Sequence, residues 1–216
     1  MVPVAGVDGC RGGWVVVTDG DAFVRPDFGA VLHALPDDAV IAVDMPIGLP
    51  DEYIPGGREA DRAARRALPA KASSVFSAPP LRAFGARSLR EAQARGCHMT
   101  IQAFNILPKV EDVDRSMTPA LQERVHEVYP ELCFHTMNGG RPVGPKKRGG
   151  DREVRRVLLE RAGVAVPDRV PGAAEDDVLD AAAALWGARR LATGMACRVP
   201  DAAPRDRRGL RMEINW

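Results

Sequence analysis

Residues 4–18 read VAGVDGCRGGWVVVT, and the local signals in this stretch decide the fold. Val4 to Asp8 is a short apolar run that ends in an acid, the pattern of a buried strand. Gly9-Cys10-Arg11-Gly12-Gly13 makes a tight turn, and Trp14 to Thr18 is β-branched and aromatic, a second strand. Asp19-Gly20 is a hairpin signal, so Ala22 to Arg25 is expected as a third, antiparallel strand. A short helix over Gly29 to Leu35 leads to Val40-Ile41-Ala42-Val43-Asp44. That run repeats the opening pattern, an uninterrupted apolar strand closed by an aspartate. A crossover of this kind brings the fourth strand beside the first and parallel to it.

Beyond Asp44, Pro46, Pro50 and Pro55 forbid regular structure. Helices are expected over Arg58 to Leu68, Ser88 to Arg95, His98 to Leu107 and Pro119 to Arg124, with Ser73 to Pro80 as a loop. His126 to Tyr129 reads as a fifth strand closed by Pro130-Glu131. Asn138 to Gly150 reads as a loop, and Asp151 to Ala162 as an amphipathic helix presenting Val154, Val157, Leu158 and Leu159. Glu175 to Thr193 is a long Ala-rich helix with acids in its first turn and Arg189-Arg190 in its last, as the helix dipole favours. Gly209 to Ile214 alternates weakly, as a final edge strand would. The expectation is an α/β fold of one domain, residues 1–216. Its mixed five-stranded sheet has strands one to three antiparallel and four and five joining strand one, with a mostly helical insertion over 51–124.

Composition narrows the class. The 216 residues are 45% hydrophobic and 27% charged, which excludes a disordered chain or a disulfide-rich miniprotein. Cys10, Cys97, Cys133 and Cys197 form no CxxC pair, so a zinc site is not expected. The N-terminus lacks a basic leader and no apolar run approaches a membrane span, so the expectation is a cytoplasmic protein with reduced thiols and no membrane partner. Net charge is only +1, but it is segregated. Arg58–Arg95 carries +6, Arg141–Arg169 +5 and Arg198–Arg211 +3, which leaves −13 for the remainder.

Part of that remainder converges. Asp8 and Asp44 close two neighbouring parallel strands about 5 Å apart, at the sheet edge where ligands of open α/β folds bind. Glu131 joins this edge if the fifth strand adds beside the fourth. Asp177 and Asp180, three apart, share one face near the start of the last helix. Carboxylates gathered in this way repel unless a cation intervenes, and Mg²⁺ or Mn²⁺ takes such oxygen ligands. Two ions about 4 Å apart can activate water and stabilise the leaving oxygen of a phosphodiester. Singly, each acid also fits a structural role. Asp8 could cap the glycine turn, Asp44 could end its strand before Pro46, Glu131 could be surface, and Asp176 and Asp177 could serve the helix dipole.

Taken together, the segments AGVDGCRGGWVVV (5–17), AVDMPIGLP (42–50), READRAARRAL (58–68), SSVFSAPP (73–80), QAFNILPKVEDVD (102–114), EVYPELCF (127–134), DDVLDAAAALWGARR (176–190) and GLRMEINW (209–216) resemble the bacterial and archaeal domain-of-unknown-function family 429. That family is described as predicted nucleases of the ribonuclease-H-like fold. The resemblance implies divalent-metal phosphodiester hydrolysis. It matches Asp8 to the invariant first-strand acid of ribonuclease-H-like enzymes and Asp44 to the second. Asp177-Val178-Leu179-Asp180-Ala181 is similar to the D-x-x-D-A of the last helix in Holliday-junction resolvases. Glu131 matches the family's own Y-P-E motif, which resolvases lack. Resolvases are dimers, so a homodimer is the assembly this comparison suggests.

A phosphate substrate needs cations as well. Arg11 in the glycine turn, Arg58 with its helix, Lys109, and Lys146, Lys147 and Arg148 in the Gly-rich loop are the expected contacts to a DNA or RNA backbone. The expected function is metal-dependent cleavage of nucleic acid, with Asp8, Asp44, Glu131, Asp177 and Asp180 as both metal ligands and catalytic residues. Two alternatives stay open. One is a nucleotide-handling ATPase or phosphotransferase half-domain, although no GxGxxG or GK[ST] is present. The other is a non-catalytic metal-binding interaction module.

Overall fold

The structure is a computed structural model and describes residues 2–144 and 149–216. In chain order, β1 (Val4–Cys10), β2 (Gly13–Thr18) and β3 (Ala22–Arg25) are followed by α1 (Phe28–Ala34) and β4 (Val40–Val43). Then come α2 (Glu59–Ala67), α3 (Leu89–Ala94), α4 (Ile101–Asn105) and α5 (Leu107–Ser116). Next are β5 (Val125–Glu127), α6 (Pro130–Met137), α7 (Gly149–Arg161) and α8 (Glu175–Ala192). Two short strands, β6 (Arg198–Val199) and β7 (Ile214–Asn215), follow. The chain divides into two compact units. The first comprises Met1–Met45, Arg124–Cys197 and Asn215–Trp216; the second, Pro46–Glu123 and Arg198–Ile214. Among the described residues no helix is long and apolar enough to cross a membrane.

The first unit is built on a mixed five-stranded sheet of order β3-β2-β1-β4-β5. β2 runs antiparallel to β1 and β3, while β1, β4 and β5 are parallel. This is the α/β arrangement read from the sequence. β2 is apolar without interruption because both of its faces are covered. Val15 and Val17 belong to the core shared with α6, α7 and α8, and Trp14 meets Phe28 of α1 edge-on at 5.3 Å.

How α8 reaches the sheet is set by Gly6. A Cβ there would lie 2.0 Å from the Ala181 carbonyl oxygen and 2.1 Å from the Leu185 nitrogen. Strand and helix therefore touch backbone to backbone, with the fully buried Ala181 to Ala184 completing the contact. No other residue fits Gly6, because every side chain begins with that Cβ.

Several boundaries move for identifiable reasons. Pro130 opens α6 rather than closing β5, with Glu131 in the first turn, because proline at N1 forfeits no helical hydrogen bond. Pro108 likewise lies in the first turn of α5, so the helix expected over His98 to Leu107 is shortened to Ile101–Asn105 and a second, unexpected helix runs from Leu107 to Ser116. In α7 the buried face is shifted by one residue: Val154 is 45% exposed while Arg155 is fully buried beside Leu158 and Leu159. The edge strand expected over Gly209 to Ile214 is limited to Ile214–Asn215, preceded by an isolated bridge from Arg205 to Arg211.

The second unit contains α2 to α5 and is joined around a buried ion pair. Arg58 donates to Asp61 Oδ1 at 2.7 Å and to the carbonyls of Ile47 and Gly48. Asp61 Oδ2 accepts the backbone N–H groups of Arg58 and Ala78. One pair thus fastens the Pro46 loop, the start of α2 and the Ser73–Pro80 loop. Ala83, Ala92, Cys97 and Leu107 form a small core nearby. The Gln122 amide pairs with the backbone of Arg211, and Arg208 reaches Asp114 at 2.7 Å, which docks the 198–214 segment within this unit.

Candidate metal centre

Period-two alternation decides which way the strand acids face. Gly6 pairs with Ala42 and Val7 with Val43 in the parallel register, and the Asp44 N–H donates to the Val7 carbonyl at 2.9 Å. Asp8 and Asp44 therefore follow Gly6 and Ala42 on the face that α8 covers. Asp180 immediately precedes the Ala181 carbonyl that rests on Gly6. The close approach permitted by one glycine is what brings the helix acid to the strand acids.

Asp8, Asp44 and Asp180 each offer a carboxylate oxygen, and these oxygens all lie within 4.8 Å of one another. Oxygens on opposite sides of one Mg²⁺ stand about 4.2 Å apart, from metal–oxygen distances of about 2.1 Å. The three carboxylates thus lie close enough together for small side-chain rotations to bring all of them onto one hard cation. Asp8 is 9% and Asp180 4% exposed, while Asp44 is half-buried. The Gly9 N–H donates to Asp8 Oδ1 at 2.6 Å, which holds the carboxylate just beyond the last parallel pair of β1 with β4.

Other expected ligands are placed differently. Glu131 lies on α6, where Arg155 Nη2 meets its Oε1 at 2.6 Å. Asp177 Oδ2 accepts the Ala174 N–H at 3.1 Å, as an acid in the first helical turn does. Asp176 is paired bidentately with Arg152 at 2.8 and 3.0 Å. Of the expected cations, Arg11 is exposed at the turn after β1 and Lys109 is half-buried on α5 in the second unit. Arg58 is 2% exposed and committed to the ion pair described above, so it is not a surface phosphate contact. Lys146, Lys147 and Arg148 lie outside the described residues.

Arg155 is the residue that sequence reading misses. Its guanidinium binds Glu131 on one side, and on the other Nη1 stands 4.0 Å from Asp180 Oδ1. Its Cζ lies 4.4 Å above the centre of the Phe134 ring, a cation–π contact that helps a charge tolerate burial. Nε and Nη1 have no hydrogen-bond partner among the described residues. One positive charge behind the cluster offsets part of its repulsion. The signal that could have found it is phase, since Arg155 is i−3 and i−4 to the buried Leu158 and Leu159. Cys133 is buried in the same region. Burial first, and then the charges of Asp44 and Asp180, push its thiol well above the usual cysteine range. The clustered donors are all carboxylate oxygens.

The model of the family described as protein of unknown function (DUF429) matches residues 6–205. The chain belongs to the DUF429 family. The match takes in most of β1 and all of β4 and α8, and with them all three clustered acids of this DUF429 member. No curated protein and no solved structure matches the chain.

Proposed function

We propose that this DUF429 protein hydrolyses phosphodiester bonds of nucleic acid, using Mg²⁺ or Mn²⁺ held by Asp8, Asp44 and Asp180. The observation that supports this reading is the oxygen-only cluster at the carboxyl ends of two parallel strands. Such an ion supplies Lewis-acid polarisation of a phosphoryl oxygen and a lowered pKa for water. The chain's own part is to fix the donors before the substrate arrives. Gly9 orients Asp8, the Gly6 contact sets the height of Asp180, and Arg155 lowers the cost of assembling the acids. Glu131 supports the cluster through Arg155, and Asp177 supports it by starting α8. Arg11, exposed three residues beyond Asp8, is the cation this reading assigns to a phosphate. Lys146, Lys147 and Arg148 are further expected contacts in this reading.

The test is a panel of labelled single-stranded, duplex, hybrid and junction substrates with Mn²⁺, run on the native chain and on Asp8→Asn. Cleavage of at least one substrate is expected, with EDTA silencing it. Removing a ligand should cost at least about 100-fold, as loss of even a supporting group in metal sites often does. Cleavage by a folded Asp8→Asn protein at the native rate would sink the proposal, as would failure to bind Mn²⁺.

A further inference from the structure

The second unit holds a cavity of about 570 Å³, bounded by the Val75–Pro80 segment, α2 and the start of α4. That volume falls within the roughly 300–1,000 Å³ typical of small-molecule sites. None of the described residues lining it is acidic, and one of them, Arg65, is a permanent cation. The Arg65 guanidinium is held from three directions. Nε donates to the Val75 carbonyl at 2.9 Å, Nη1 to the Gly56 carbonyl at 2.6 Å and Nη2 to Ser77 Oγ at 2.9 Å. A guanidinium has five N–H donors, so one hydrogen on each Nη remains. A cation fixed in this way meets an anion without first losing side-chain freedom.

Three aromatic side chains are part of the remaining lining. Tyr53 and His98 stand edge to face, 5.6 Å between ring centres, and Phe76 lines the same cavity. The Ser77 hydroxyl, whose oxygen accepts from Arg65, keeps its own hydrogen for a ligand, and Gln102 also belongs to the lining. Flat apolar faces, one fixed cation, neutral hydrogen-bonding edges and no carboxylate select a ligand that combines an aromatic heterocycle with a phosphate. Ring faces stack on bases of any sequence, and Arg is suited to phosphate oxygens.

We propose that this cavity binds one nucleotide, its base against Tyr53, Phe76 and His98 and its phosphate at Arg65. Choosing a nucleotide over another ring-bearing anion rests on the phosphodiester reading of the carboxylate cluster. The nucleotide comes either from solution or from an unpaired position in a strand, and both present the same groups.

The experiment is calorimetric titration of the full chain in EDTA with AMP, UMP, adenosine, inorganic phosphate and hexathymidylate. Amide shifts in ¹⁵N spectra locate the site. AMP or UMP should bind and shift residues 72–80 and 98–103, with adenosine and phosphate each at least tenfold weaker. Tyr53→Ala and His98→Ala, at half-buried and exposed positions, should each weaken binding about tenfold, the loss of one base–aromatic stack. Hexathymidylate that displaces the mononucleotide marks a strand as the source. Hexathymidylate that does not bind, where AMP does, marks a free nucleotide. Absence of binding by all nucleotides at millimolar concentration overturns the proposal, as does affinity unchanged in both variants. Asp8→Asn should bind nucleotide as the native chain does. Absence of metal-dependent cleavage by the native chain, with nucleotide binding intact, would refute only the nuclease reading, and cleavage by a native chain that binds no nucleotide would refute only this one.

Discussion

A guanidinium with no solvent exposure, as at Arg155, is sustained only by partners. Glu131 at 2.6 Å is the nearest, and the Phe134 ring supplies a second contact. Removing one member of a buried pair strands the other charge, at a cost of about 3–5 kcal/mol, whereas removing both often costs little. Arg155→Met should therefore lower the urea midpoint sharply, and adding Glu131→Gln should recover most of the loss. A double variant no more stable than the single one would show that this pair does not carry the effect. The same residues show what a sequence reveals at this scale. Asp8 and Asp44 are legible because an apolar run ending in an acid occurs twice, and Asp180 because it stands one turn past Asp177. Arg155 is hidden among Arg152, Arg156 and Arg161, since charge alone does not tell which arginine a helix buries. Asp177 has the right position for a ligand, yet its carboxylate also serves the helix start, a use the spacing cannot distinguish.

Between elements, the decisive contact is β1 against α8. Overpacking a core costs about 1–3 kcal/mol when side chains can yield. At Gly6 the obstructing atoms are helix backbone at 2.0 and 2.1 Å, which cannot rotate aside. Gly6→Ala is therefore expected to cost about 3 kcal/mol or more, and to push α8 off the sheet. Asp180 would move with it, so Mn²⁺ affinity should fall in a variant that retains all three carboxylates. Denaturation and Mn²⁺ titration of the same sample check both halves. Full Mn²⁺ affinity in Gly6→Ala would separate the acid geometry from this contact. The strands were readable because period and turn chemistry agree with tertiary position. The helices were less so. Pro108 and Pro130 each suit either a stop or a first turn, and only packing decides between them. In α7, Val154 and Arg155 exchange the roles that hydrophobicity alone assigns.

Across the molecule, a net charge of +1 conceals a division that follows the two units. The first carries 14 Lys and Arg against 17 Asp and Glu, a net of −3, and the second 16 against 12, a net of +4. No break in composition marks the partition, because the second unit combines two segments that are far apart in sequence. The signs match what each unit is proposed to hold: an acidic unit carries the cation site and a basic one the cavity for an anion. A ligand that binds only the native state suppresses local opening around its site, by about 2.7 kcal/mol at a hundred times its dissociation constant. Hydrogen exchange should therefore respond in two separate places. Mn²⁺ should slow amides at the ends of β1 and β4 and in the first half of α8, with no change over 72–80. AMP in EDTA should slow 72–80 and 98–103 and leave β1 unchanged. Protection of the acid cluster by AMP in EDTA would contradict this assignment, because phosphate there would meet carboxylates with no cation between them.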